Sequence, residues 1–412
     1  MKLPIVYTAA LAMLLQQALS TMSGLTIPVL APPIAAETGL SPSLVGLYTA
    51  FLYGGSMISA VAGGGFLLRF GALRVSQACL VVVAIGLLIN APGLMLLFII
   101  GAIVTGLGGG PSTPASSQIL ARYADPAKGP LIFSIKQTGV PVGGVIAGAL
   151  LPVYVSLFGW RGALVCAALM ALTLALMLQP LRAKFDSDRQ PQRSLKLNDI
   201  RATLAAVLSD KRTRQLALGL FAFTGLQLAF ASFFVSFLSL GLGWTLTDAG
   251  IAYSIAMGAG VAGRLIWGWV GTKYVSPLML LALLGFTMGF AHMAIGLVKP
   301  DWQMTAVWAV AFAYGLTGIG YQGVLLAEIA RASPPGMAGV VTGGAVFFAY
   351  AGMILMPAAF GLILAILDSY RIAFIILGAI PLFVAAMLMK SAMKQKTRLE
   401  KMHGSDKDND RR

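Results

Sequence analysis

The chain of 412 residues is 58% hydrophobic and only 10% charged. Soluble domains carry about 25% charged residues, so much of this surface must face lipid and not water. The net charge of +15 could suggest nucleic acid, but the Lys and Arg gather in loops and in the tail, between apolar runs. That is the pattern of positive-inside membrane topology, and no nucleic-acid partner is expected. Cys79 and Cys166 both fall inside apolar runs, where thiols act as packing residues. No His, Cys, Asp or Glu cluster has metal-ligand spacing, so neither metal nor cofactor is expected.

Twelve apolar stretches of spanning length are predicted, at 5–30, 43–67, 74–90, 94–120, 131–156, 160–180, 213–238, 246–271, 276–298, 303–327, 336–365 and 370–390. Each is near the roughly 20 residues needed to cross a bilayer core. The first is too long for a signal-peptide apolar region and is read as an uncleaved helix. Breaks carry Pro and Gly: Pro32–Pro33, Ala91-Pro92-Gly93, Asp125-Pro126, Lys299-Pro300-Asp301 and Pro334–Pro335. The longest polar stretch, Arg182 to Arg214, separates two sets of six. The expected organisation is an all-α membrane protein with a bundle over 1–181, a linker over 182–212, a bundle over 213–391 and a charged tail over 392–412.

The second six spans echo the first. Gly46, Gly54, Gly64 and Arg69 match Gly250, Gly258, Gly268 and Lys273 at a constant offset of 204 residues. Thr105-Gly106-Leu107-Gly108 recurs as Thr317-Gly318-Ile319-Gly320. A repeat of this kind is the mark of secondary transporters, whose substrate site lies between the halves near the bilayer midplane. With the N-terminus inside, 24 of the 29 Lys and Arg fall in inner segments, which puts both termini and the linker in the cytoplasm and the chain in an inner membrane.

The loop after the second span reads Gly64-Gly65-Phe66-Leu67-Leu68-Arg69-Phe70-Gly71-Ala72-Leu73-Arg74. This resembles the Gly-x-x-x-Asp-Arg-x-Gly-Arg-Arg pattern of the major facilitator superfamily, and the resemblance runs the whole length. Gly64, Arg69 and Gly71 match; the acidic position is Leu68, so the charge latch of this loop is weakened or absent. Gly139, Pro141 and Gly143 resemble the Gly/Pro-rich fifth span of family antiporters but depart from its spacing. Close helix packing is the plainer account of these residues. The resemblance implies twelve helices in two pseudo-symmetric bundles, alternating access, and a fifth and an eighth helix that face each other.

Ionisable residues within spans are costly and point to function. Lys136 lies early in the fifth span and Arg264 late in the eighth, each seven residues from an inner end, near Gly129 and Gly271 respectively. That is roughly 10 Å of depth at 1.5 Å per residue. No acid shares their level: Glu37, Asp248, Asp301 and Asp368 map to the outer side and Glu328 to an inner end. Two unpaired cations across one interface call for an anion. Arg264 also resembles the eighth-helix Arg of monocarboxylate and oxalate:formate porters, where it contacts a carboxylate.

Gln17, Tyr53, Gln227, Tyr253 and Tyr314 complete the candidate cavity, and Gly268 joins the structural set. His292 is expected at the periphery of the ninth span. The expected protein is a monomeric transporter of a small organic anion, with protons or a counter-anion as possible co-substrates. The rival readings are an efflux carrier for hydrophobic or cationic compounds and a transporter-like sensor. No Ser/His/Asp constellation supports an enzyme.

Overall fold

The computed structural model describes residues 5–123, 132, 135–192, 200–334 and 338–409. Lys2, Asp125, Lys128 and Pro335 lie outside them. Among the described residues every regular element is a helix: α1 (Ile5–Thr38), α2 (Val45–Phe70), α3 (Ala72–Ile89), α4 (Met95–Gly109), α5 (Ser112–Tyr123), α6 (Gly139–Met177), α7 (Arg182–Phe185), α8 (Ile200–Ser209), α9 (Lys211–Ser236), α10 (Leu246–Lys273), α11 (Pro277–Leu297), α12 (Met304–Gly318), α13 (Gln322–Ala332), α14 (Ala338–Leu367) and α15 (Tyr370–Asn409). Ten described stretches are long and apolar enough to cross a membrane. The longest, Ile135–Phe185, turns over at Gly159, whose φ of 68° favours a residue without a Cβ. Two crossings there, together with the 26-residue α2, are compatible with the twelve expected.

Three boundaries differ from the sequence reading. The first helix runs past Pro32 and Pro33 to Thr38. Pro removes a donor, yet buried Pro28 and Pro32 are enclosed by neighbouring helices, a setting in which membrane helices tolerate it. The fourth span breaks between α4 and α5 at Gly110–Pro111, and the tenth breaks between α12 and α13 at 319–321. These breaks follow the two recurring Thr-Gly-x-Gly segments. The polar stretch from Arg182 is not structureless, since it holds α7 and α8.

Small residues set which helices touch. A Cβ on Gly143 would lie 2.2 Å from the Ala18 carbonyl oxygen, and one on Gly139 would lie 3.0 Å from Gln17 Cβ. The start of α6 is therefore pressed against the middle of α1, with Pro141 buried between. Farther along, a Cβ on Gly250 would lie 2.2 Å from Gly148 O, and one on Gly46 would lie 2.2 Å from Pro357 O. So α6 meets α10, and α2 meets α14, backbone to backbone at the ends away from the linker. The next repeat pair behaves differently: Gly54 and Gly258 have nothing within 4 Å. Gly268 is equally open, while the surroundings of Gly64 are not among those described.

The linker docks on the first half of the chain. Asp186 accepts from Leu73 N at 2.7 Å and from Arg74 N at 3.0 Å, satisfying amides that the start of α3 leaves free. Burial pushes its carboxyl above the usual range, and those two amides pull it back. Gly71 has φ 97°, and a Cβ there would lie 2.3 Å from Asp186 Cγ. Gly71 is thus required both by its conformation and by the carboxylate against it. Gln190 N donates to Leu68 O at 2.7 Å, and Arg122 pairs with Asp188 at 3.1 Å.

Candidate functional site

Between the helices of the two chain halves lies a cavity of about 210 Å³, lined by Gln17, Tyr53, Gln137, Gln227 and Gln322 among others. Its wall is rich in amides and hydroxyls, with Thr113 and Thr224 also contributing. No carboxylate lines it. Pockets for drug-sized ligands run to roughly 300–1,000 Å³, so this volume suits a small molecule.

The two cations sit immediately behind the glutamines. Lys136 is 1% exposed. Its Nζ donates to Gln17 Oε1 at 3.0 Å and to Gln137 Oε1 at 3.2 Å. Gln17 Oε1 also accepts from Thr113 Oγ1 at 3.2 Å. Arg264 donates from Nη2 to Gln322 Oε1 at 2.7 Å and from Nη1 to the Gln137 carbonyl. Its Nε reaches Ile319 O at 3.4 Å, a carbonyl released by the break between α12 and α13. Gln137 thus serves both cations, Lys136 through its side chain and Arg264 through its backbone. The Arg264 contact to Gln137 joins α10 to the start of the fifth span.

All these partners are neutral oxygens. Among the described residues no carboxylate forms an ion pair with Lys136 or Arg264. The nearest candidates by sequence are engaged elsewhere. Glu37 pairs with Arg161 and accepts from Trp160 Nε1 at 2.7 Å. Glu328 pairs with Arg212 and lies 3.8 Å from Arg331. A buried cation with only dipoles for company keeps a large unmet attraction for an anion.

The expected site residues divide into two groups. Gln17, Tyr53 and Gln227 line the cavity, and Lys136 and Arg264 adjoin it through hydrogen bonds to lining residues. Tyr253 and Tyr314 instead lie in an aromatic cluster around Phe230, with ring centroids at 6.1 and 4.2 Å from it. Both are fully buried; the Tyr314 hydroxyl donates to Leu226 O at 3.2 Å. His292, expected at the periphery, is 0% exposed and packs at a tilt against the rings of Tyr314 and Phe374. Cys79 is buried, whereas Cys166 is only partly so, and both are free.

Sequence reasoning missed Gln137 and Gln322. Both are amides in apolar spans, one beside Lys136 and one just after the second Thr-Gly-x-Gly break. A search for neutral acceptors to match the intramembrane cations would have found them.

The profile of the Major Facilitator Superfamily matches residues 12–357. The chain belongs to that superfamily. Solved structures agree in fold. A bacterial homologue of the human lysosomal transporter Spinster, inward-facing and unoccupied, superposes with a TM-score of 0.73 at 18% identity, covering 96% of this chain and 99% of that one. A nucleoside transporter, NupG, gives 0.74 at 15% identity over 93% and 99%. At such identities the likeness concerns the fold alone. One curated relative, "Probable anion transporter 4, chloroplastic" of Oryza sativa subsp. japonica, is 27% identical over 146 residues, which is 34% of this chain and 24% of that protein. The aligned region thus spans about a quarter of that relative. Major facilitator membership, together with the apolar spans, makes this chain a multi-pass membrane protein of a transporter family.

Proposed function

We propose that this transporter carries a small organic anion, with a carboxylate as the bound group, by alternating access between two six-helix bundles. The observation that carries the reading is the pair Lys136 and Arg264. They are linked through one residue, Gln137, at the edge of the cavity, and among the described residues they meet only neutral oxygens. A cationic cargo would have to approach two cations with no carboxylate lining its path, at a cost that grows as the dielectric falls. An anion supplies the missing partner. The short match to a plant protein described as a probable anion transporter adds modest support.

The chain then works as a monomer in an inner membrane, termini and linker in the cytoplasm, as the basic residues favour. The glycine contacts at Gly46 and Gly250 close the side away from the linker, so the cavity would load from the linker side. Protons or a second anion can serve as the coupled species.

A ligand-dependent thermal-shift screen of detergent-purified protein tests this reading, using carboxylates, neutral sugars and cationic drugs. The expected result is stabilisation by carboxylates alone. Stabilisation by cationic drugs, with none by carboxylates, overturns it in favour of drug efflux.

A further inference from the structure

The glutamines around the cavity are oriented by what lies behind them. An ammonium or guanidinium offers donors only, so Gln17, Gln137 and Gln322 must each turn an amide oxygen toward a cation. Their NH2 groups are then aimed away from the charges. Gln17 Nε2 makes one long contact, to Thr21 Oγ1 at 3.4 Å. Neither Gln137 Nε2 nor Gln322 Nε2 donates to a described protein atom. This end of the cavity offers N–H donors with positive charge in reserve, which suits a carboxylate.

The opposite requirement appears on α9. Gln227 lines the same cavity, and its Oε1 is buried without a hydrogen-bond partner. A buried acceptor left unmade is costly. A carboxylate cannot satisfy it, because an ionised carboxylate only accepts. An alkyl chain cannot satisfy it either. A ligand hydroxyl can, and Tyr53 and Thr224 add hydroxyls to the wall nearby.

We propose that the carried anion is a small hydroxylated carboxylate, held with its carboxylate toward Gln17, Gln137 and Gln322 and with a hydroxyl donating to Gln227. Here Gln227 determines specificity and Lys136 and Arg264 act through the glutamines they orient. This rests on the anion reading and adds the hydroxyl to it. The wall of amides is what separates the two: a plain short-chain acid would leave Gln227 unsatisfied while gaining everything the cations offer.

The test is equilibrium binding to the full chain in nanodiscs by calorimetry, with threonate, butanoate and threitol. The first two share a four-carbon acid; the first and third share vicinal hydroxyls. The expected result is threonate bound roughly tenfold or more tighter than butanoate, the usual scale for one unmade buried hydrogen bond, and no binding of threitol. Gln227→Leu should bring threonate down to the affinity of butanoate. Equal affinities of the wild-type chain for the two acids overturn the hydroxyl assignment and leave the anion reading standing. Threitol binding as well as threonate overturns the anion reading itself. Failure of both acids to bind overturns both.

Discussion

Lys136 Nζ lies 3.0 Å from Gln17 Oε1, and this one contact ties the fifth span to the first at the wall of the cavity. The approach depends on Gly139 and Gly143, whose missing Cβ atoms let α6 settle on α1. Replacing Gln17 by Leu removes an acceptor from a buried ammonium and frees Thr113. The expected cost is about 1–3 kcal/mol of stability, read as a lower thermal unfolding midpoint in detergent. An unchanged midpoint would mean that Lys136 has a better partner than Gln17.

Arg264→Lys should fail although it keeps the charge. The guanidinium reaches Gln137, Gln322 and Ile319 at once through three different nitrogens. A single ammonium cannot span them. Ligand affinity should fall roughly tenfold or more in a binding titration, and wild-type affinity in the Lys variant would sink the role given to that fork.

Lys136→Arg, which the sequence alone would allow if space permitted, should also be damaging. Lys136 is 1% exposed, so a longer, planar head has to displace the Gln17 and Gln137 side chains that hold the ammonium. Overpacking of this kind costs about 1–3 kcal/mol. A thermal melt of the variant against Lys136→Met separates the effect of bulk from that of charge: Met, close in size to Lys, should be tolerated better than Arg.

Arg69 and Asp186 should differ in importance. Among the described residues Arg69 forms no ion pair, and its guanidinium lies 5.5 Å from the Phe70 ring centroid. Asp186 caps the start of α3 from the linker. Arg69→Ala should therefore be mild, while Asp186→Ala should cost about 0.5–2 kcal/mol, as loss of a helix cap does. The paired unfolding midpoints decide it; equal losses would contradict the assignment.

Much of the fold was legible because its signals are local. Span length, Gly and Pro punctuation and the 204-residue repeat all sit in contiguous sequence. The association of Lys136 with Arg264 was also legible, since equal depth on facing helices needs only counting and the family resemblance. What escaped depends on long-range contacts. Asp186 reaches α3 across 113 residues in sequence, so an acid missing from the loop at Leu68 gave no hint that the linker supplies one. The fully buried place of His292 follows from how the helices pack, which its own span does not encode. Gln137 and Gln322 looked like ordinary polar residues until the cations behind them were in view.

The central claim is that Lys136 and Arg264 together create an anion site. Uptake of radiolabelled carboxylates into proteoliposomes, compared among wild type, Lys136→Gln and Arg264→Gln, tests it most directly. The account predicts saturable uptake by wild type and a fall of roughly 30-fold or more in apparent affinity for each variant, the scale of about 2–5 kcal/mol for a desolvated charge contact. Undiminished carboxylate uptake by both variants, at matched protein content, would contradict it.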